Sequence, residues 1–529
     1  MKKNLLLPLL QVVLAALIGA LVTLSVVKYN ESRRLIRAKY ADWRKLNLIL
    51  EMVEKNYVDT IDRSGMTDAA VVAALAELDP HSVYLPPVKL EQSEEELSGN
   101  FEGIGIQFNV PNDTAVVLEV IAGGPSEKVG LMAGDRLLKV DDKVIAGVKF
   151  PQDSMVRRMK GPSGTKVTVT VKRGSEEIPF EITRGRIPVH SVDAHFMIDD
   201  TTGYIRLSKF ARTTYAEFKD AFTGLSGKGM TRLLFDLRDN SGGYLDQALL
   251  LSNEFLSRGD TIVYMEGLHR PREVYRADGN GALREVGLSV LISENSASSS
   301  EIFAGAIQDN DRGTIVGRRS FGKGLVQEPV YFTDGSGVRL TVARFYTPSG
   351  RCIQKPYTAD YDYDIYKRYS GGEIFSADSV KLNTSDVHRT RSGRIVYGGG
   401  GIMPDIFVPM DTTRATTFYV DCNRKATQMR FASAMFDKYT ARLREIGDYT
   451  SMDAFLSRID VAGQFRAFAL DKDGLKASDA EWKETLPYLE PQLKALVARY
   501  SPLGENAFYK YYLPVDNTVE AALQESILK

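Results

Sequence analysis

The chain reads as an α/β protein with an inserted β-rich module, an N-terminal membrane helix and helical cap, and a C-terminal helical extension. Three observations predict this. The run from Leu5 to Val27 is uncharged, short glycine-punctuated strands crowd between Glu102 and Arg184, and strand-like and helical runs alternate from Gly203 to about Val408. With 529 residues, 43% hydrophobic and 26% charged, the chain has material for about three or four domains at roughly 150 residues each. Lys plus Arg total 67 against 68 Asp plus Glu, a net charge of -1. No global field gathers phosphate backbones, so nucleic acid is not an expected partner. Two cysteines, Cys352 and Cys422, exclude a disulfide framework and a cysteine-based zinc site, while a single disulfide stays open. No metal and no cofactor are expected.

In chain order, residues 5–27 come first as a transmembrane anchor. At about 1.5 Å per residue such a helix spans about 30 Å of hydrocarbon. Lys2 and Lys3 precede it as in a secretory signal, but no small-x-small cleavage site comes after it, so the anchor is expected to be retained. Lys28, Arg33, Arg34, Arg37 and Lys39 place positive charge just after the span, which by the charge rule opposes export of the downstream chain. Residues 38–98 form the cap: Trp43, Leu46, Leu48, Ile49, Met52, Val53 and Tyr57 recur at helical spacing until Asp79-Pro80 breaks the pattern. Residues 102–186 form the module, with strands over Gly105–Val110, Ala115–Val120, Arg136–Val140, Lys166–Lys172 and Ile178–Thr183. Residues 187–410 are the core and residues 411–529 a charged helical extension whose role is open.

The core carries the chemistry. Strands at Arg232–Leu237, Ser289–Ser293 and Thr314–Val316 are apolar, as strands covered on both faces are. Each runs into an unusual loop: Arg238-Asp-Asn-Ser-Gly-Gly243, Glu294-Asn-Ser-Ala-Ser-Ser-Ser-Glu301 and Gly317-Arg-Arg-Ser-Phe-Gly-Lys-Gly324. If the strands are parallel, all three loops emerge at their carboxyl ends and share a cleft. Ser298 opens an S-x-x-E capping signature, next to free helix amides that can receive an oxyanion. Its hydroxyl needs a base, and none of His81, His190, His195, His269 and His388 lies in these loops. Lys323, between two glycines, can serve if desolvation lowers its pKa toward about 7 to 8. Gln327 can orient that amine without charging it, and amides of Gly242, Gly243 and Ser299 can form the oxyanion hole. A phosphate cradle competes for the third loop, since Gly317-x-x-x-x-Gly322-Lys323 has P-loop spacing. It fails at Gly324, where a metal-binding Ser or Thr is required, and the strand ending in Asp236 comes before the loop rather than after it.

Ser298 and Lys323 with their flanks, Asn295-Ser-Ala-Ser-Ser-Ser-Glu301 and Ser320-Phe-Gly-Lys-Gly-Leu-Val-Gln327, resemble the carboxyl-terminal processing (tail-specific) serine peptidases. So do Asp236-Leu-Arg-Asp-Asn-Ser-Gly-Gly243, Leu78-Asp-Pro-His-Ser-Val-Tyr84 and Gly398-Gly-Gly-Gly-Ile-Met-Pro-Asp405, and the resemblance covers about residues 40–410. It implies a crotonase/Clp-protease-like core with an inserted PDZ domain, Ser298 as nucleophile, Lys323 as general base and Gln327 as its positioner. Two departures stand out: Ser299 and Ser300 sit where small residues, often alanine, are expected, and His81 where an aromatic is common. Glu102-Gly-Ile-Gly-Ile-Gln107 and Gly123-Gly-Pro-Ser-Glu-Lys-Val-Gly-Leu-Met-Ala-Gly-Asp135 resemble a PDZ domain of the permuted bacterial type. Backbone N–H groups of Gly103, Ile104, Gly105 and Ile106 would receive a terminal carboxylate, with Ile104 and Ile106 lining an apolar pocket. Lys160-Gly161 is expected near the interface through which this domain gates the protease.

The implied function is a serine endopeptidase that captures proteins or peptides with apolar, flexible C-termini and hydrolyses them through a Ser298 acyl-enzyme. The alternative is a noncatalytic PDZ adaptor or pseudoprotease of the envelope. The implied location is the bacterial cell envelope, anchored in the inner membrane with the catalytic part in the periplasm. A homo-oligomer stays open.

Overall fold

A computed structural model describes residues 41–110, 113–121, 123–358, 360–412 and 415–525. The span expected over residues 5–27 lies outside them. Among the described residues no helix is long and apolar enough to cross a membrane.

The chain divides into a unit ending at Leu78 and a larger one beginning at Asp79. The described part of the first holds helices Ala41–Asn56 and Arg63–Ala76, the latter capped by Asp62, which accepts from the Gly65 N–H at 3.1 Å. The cap expected over 38–98 is therefore too long. Its last twenty or so residues hold Val83–Leu85, which pairs with Gly337–Arg339 of the core, and helix Pro87–Ser98. The Asp79-Pro80 break is legible as a helix stop, but the three-residue strand after it owes its conformation to that distant partner.

The second unit is built on a six-stranded sheet in the order Val192–Met197, Thr202–Leu207, Arg232–Asp236, Gly287–Ile292, Thr314–Gly317 and Ile406–Phe407. The first pair is antiparallel and the rest parallel, as the alternating pattern predicts. Phe218, Phe235, Phe255 and Phe303 pack edge to face or tilted beneath it, and all are below 2% exposed. Beside it stands an antiparallel sheet that the pattern did not predict, with Gly337–Tyr346 paired to Val83–Leu85, Thr261–Gly267 and Leu325–Tyr331.

The β-rich module folds as a sheet of Ile106–Asn109, Ala115–Val120, Arg136–Val140, Lys166–Arg173 and Glu176–Thr183, with Lys143–Val144 at its side. The chain enters and leaves it through one antiparallel ladder, Asn100–Gly103 against Gly185–Pro188. An insertion whose ends pair this way leaves the host sheet undisturbed.

Beyond the core, helices Thr417–Arg424, Thr427–Glu445, Tyr449–Arg458, Val461–Asp473, Asp479–Ala498, Gly504–Tyr512 and Asn517–Glu525 form the extension with an apolar core of its own. Leu118 and Ala133 of the module pack against that core, and Arg136 pairs with Asp437 at 2.5 Å. At its other end Leu513, Val519 and Ala522 pack on Tyr204, Leu234 and Leu291 of the main sheet.

Candidate active site

The register Asp236↔Leu291 and Leu291↔Val316 sets the carboxyl ends of three parallel strands side by side. Their loops and the adjoining antiparallel sheet enclose a cavity of about 950 Å³ whose walls include Gly243, Ser298, Ser299, Lys323, Gln327 and Arg339. This is the edge where open α/β sheets bind ligands.

Ser298 stands at the entry to helix Ser299–Asp309 with φ 55 and ψ -112, a conformation that a non-glycine residue adopts only when its surroundings enforce it. The neighbouring hydroxyls are committed elsewhere. Ser299 Oγ donates to Gly243 O and Ser300 Oγ to Asn240 O, both at 2.9 Å, and both residues are buried. Ser298 is half-buried at the cavity wall, which Ser299 also lines.

The expected oxyanion set needs one correction. The Gly242 N–H donates to Asn240 Oδ1 at 2.9 Å, so that amide is already paired. The N–H groups of Gly243 and Ser299 have no acceptor among the described residues. Gly242 contributes by lacking a side chain: a Cβ there would stand 2.8 Å from Ser298 Cβ and 2.9 Å from Ser299 N.

Lys323 donates from Nζ to Gln327 Oε1 at 2.9 Å, and Gln327 Nε2 donates to the carbonyl of His81 at 2.5 Å. Burial holds the lysine below its ordinary pKa, and the Arg339 cation pushes the same way against Glu301 and Asp79. Ser298 and Lys323 share the cavity, but no hydrogen bond joins Oγ to Nζ among the described residues. Such contacts often close only around a substrate.

Glu301 does more than the cap its spacing suggests. Fully buried, it accepts from the N–H groups of Ser298, Gly322 and Lys323 at 2.9, 2.7 and 2.8 Å and from Ser320 Oγ at 2.5 Å. One carboxylate thus ties the serine loop to the lysine loop. Burial raises its pKa while these donors oppose the rise.

The first loop is held from behind. Arg238 donates to Asp236 Oδ2 and to Asp516 Oδ2, both at 2.7 Å, and Arg206 reaches Asp236 Oδ2 at 3.1 Å. Burial opposes ionisation of Asp236, but the Arg238 and Arg206 cations outweigh it and hold the carboxyl well below the usual range. Asp516 is invisible in sequence because its partner lies 278 residues away. The Leu78–Tyr84 stretch does carry a signal: Asp79 accepts from the N–H groups of His81 and Ser82, and the turn it folds presents the His81 carbonyl to Gln327.

In the module the Gly103–Ile106 loop lies apart from this cavity. The N–H groups of Ile104 and Gly105 have no acceptor among the described residues, as an anion-receiving loop requires. Ile104, expected with Ile106 to line an apolar pocket, is 3% exposed and lies in the module core cluster with Met155 and Met159, whereas Ile106 is half-buried against the same cluster. Gly103 pairs with Gly185 in the entry ladder. Lys160 does reach the core, with Nζ 2.6 Å from Glu95 Oε2 in helix Pro87–Ser98. Cys352 and Cys422 are both free thiols, and no cluster of metal-binding side chains occurs among the described residues.

Residues 201–365 match the model of peptidase family S41, and residues 103–183 match a PDZ domain. A CtpA-like serine protease of Staphylococcus aureus (strain N315) is 33% identical over 65% of this chain and 70% of its own length. A carboxy-terminal-processing protease of Bartonella bacilliformis is 36% identical over 60% of this chain and 73% of its own. Among solved structures, a photosystem II D1 C-terminal processing protease is similar with 28% identity and a TM-score of 0.38, covering 69% of this chain and 86% of that one. The chain belongs to peptidase family S41 and is a serine peptidase of the carboxy-terminal-processing group.

Proposed function

We propose that the protein is an endopeptidase in which Ser298 is the nucleophile, Lys323 the general base and Gln327 its positioner. The observation that carries this is one cavity holding a half-buried serine in a strained turn, a lysine of lowered pKa and two amides with no acceptor among the described residues. With one N–H of the neutral amine held by Gln327 Oε1, its lone pair is left for the Ser298 proton. As Oγ attacks the scissile carbonyl, the oxyanion receives the N–H groups of Gly243 and Ser299. The lysine ammonium then protonates the departing amine, leaving a Ser298 ester. Water, deprotonated by the same lysine, releases the carboxylate and restores the serine. Incubation with an unfolded protein bearing an apolar C-terminus tests this. Cleavage by the wild type and by neither Ser298→Ala nor Lys323→Ala is expected. Cleavage by either variant would overturn the assignment, and binding without cleavage by the wild type would mark an adaptor.

The PDZ domain is assigned the capture of substrate tails, their terminal carboxylate received by the Ile104 and Gly105 amides and their backbone by the outer edge of Ile106–Asn109, which ends the module sheet. Amidating the C-terminus of a tail peptide is expected to weaken binding at least tenfold, and equal affinity would remove the assignment. The core is read as the crotonase/Clp-protease type on its parallel sheet and crossover helices. The enzyme is placed in the bacterial cell envelope, anchored by residues 5–27 with its catalytic part in the periplasm. A reporter active only outside the cytoplasm, fused after Val27, decides the sidedness, and an inactive reporter would reverse it.

A further inference from the structure

We propose that Tyr361 is a positioning residue for Lys323 that acts through His81 and Gln327, an inference that rests on Lys323 being the base. Tyr361 opens a short helical turn, Tyr361–Tyr363, in a tyrosine-rich stretch that no sequence motif singles out. It is 6% exposed, and its hydroxyl lies 2.5 Å from His81 Nε2.

Gln354 joins the lysine loop to the tyrosine. Gln354 Oε1 accepts from the Gly324 N–H at 2.9 Å, which turns Gln354 Nε2 toward Tyr361, where it donates to the hydroxyl at 3.1 Å. The hydroxyl is joined to His81 Nε2 by one hydrogen bond, whose donor follows from the imidazole tautomer. The imidazole also meets the Tyr361 ring edge to face, with centroids 5.3 Å apart. His81 is held at its backbone as well, since Asp79 accepts its N–H at 2.8 Å. Its carbonyl receives Gln327 Nε2, and Gln327 Oε1 receives Lys323 Nζ.

These bonds form a closed circuit. It leaves the backbone of Gly324, next to the lysine, passes through Gln354, Tyr361, His81 and Gln327, and returns to the lysine amine. Gln327 fixes the amine only as well as the His81 carbonyl fixes Gln327, and Tyr361 locks that residue from its side-chain end. The Lys355 ammonium clamps the tyrosine in turn, 4.2 Å over its ring and 4.0 Å over that of Phe321. A tyrosine used this way places the base without touching substrate, so its loss should lower turnover and leave binding alone.

Tyr361→Phe keeps the ring and deletes the hydroxyl. On a fluorogenic peptide with an apolar C-terminus, kcat is expected to fall about tenfold, the worth of one hydrogen bond at the base, with KM within about twofold. Gln327→Ala should lower kcat too, and adding Tyr361→Phe to it should cost nothing further, because both act through one arm. Should Gln327→Ala fall below detection, His81→Phe takes its place in the cycle with the same expectation. An unchanged kcat in Tyr361→Phe, a loss confined to KM, or losses that multiply in the double variant would overturn the assignment. Ser298→Ala and Lys323→Ala run alongside: if either still cleaves, the base assignment has failed, whereas their inactivity beside a fully active Tyr361→Phe condemns the tyrosine alone.

Discussion

Gly242→Ala probes the oxyanion geometry most directly, because Gly242 is the glycine that lets the first loop touch the serine. Its φ is +102°, outside the range side chains tolerate, and its added Cβ would lie 2.8 Å from Ser298 Cβ, 2.9 Å from Ala297 O and 2.9 Å from Ser299 N. Real Cβ contacts at such distances essentially do not occur, so the loop or the start of the helix must give way. The backbone strain costs about 1–3 kcal/mol, small enough for a fold of ordinary stability, about 5–15 kcal/mol, to survive. The loop is pinned on its far side, where Gly242 O accepts from the Phe210 N–H at 2.9 Å, so the shift falls on Ser298 and Ser299. Displacing one oxyanion donor removes about 2.7–4 kcal/mol of transition-state stabilisation, a fall in kcat of about 10²–10³. Steady-state kinetics on a tail peptide, paired with a thermal melt, measure both quantities. A kcat within about threefold of wild type, in a protein that melts normally, would refute the role given to these amides.

The remaining expectations concern charge and packing. Activity should rise with pH as Lys323 loses its proton, and a flat kcat/KM between about pH 6 and 9 would exclude a lysine base. Because the Arg339 cation disfavours the ammonium of Lys323, Arg339→Gln should let the lysine keep its proton to higher pH and move the acid limb upward. A profile superimposable on wild type would show that the cation has no such effect. Asp516→Asn strips buried Arg238 of a carboxylate partner and should destabilise the protein by about 3–5 kcal/mol in urea unfolding. A loss under about 1 kcal/mol would mean that Asp236 alone suffices. Glu301→Gln exchanges one of two accepting oxygens for a donor that faces donors already in place, so kcat should fall at least tenfold. Near-normal turnover would show that the two loops hold their places without the carboxylate.

What the sequence discloses and what it hides divide along one physical line. The parallel strands, the helix after Ser298 and the Lys323–Gln327 pair are legible because periodicity and short spacing fix them locally. The S-x-x-E signature marks Glu301 as a cap, but its bonds to Gly322 and Lys323 depend on a loop some twenty residues on. The pairing of the Gly242 amide with Asn240 Oδ1 is similarly hidden, since a Gly-Gly pair shows which backbone can approach a substrate and not which of its amides is already spent. Ile104 reads as a pocket residue because an apolar side chain beside two glycines looks the same whether it points inward or outward. The antiparallel sheet behind Lys323 escapes notice for another reason. Gly337–Tyr346 contains Arg339 and Arg344 and lacks the continuous apolar run of a central strand, yet three partners hold it.

The C-terminal extension, which carries no readable motif, gains meaning from where its charges end. Asp516 meets Arg238 at the root of the loop bearing Gly242 and Gly243, and Asp437 meets Arg136 on the module. These two contacts differ in kind. Arg136 and Asp437 are both about a third or more exposed, so their pair adds little energy and can part at little cost. Arg238 and Asp516 are 14% and 6% exposed, and separating them would strand a charge out of water. The extension is thus held to the core by a buried ion pair, whereas on the module it adds to the exposed pair a hydrogen bond from Arg444 to the Ala133 carbonyl and the packing of Leu118 and Ala133 on its apolar core.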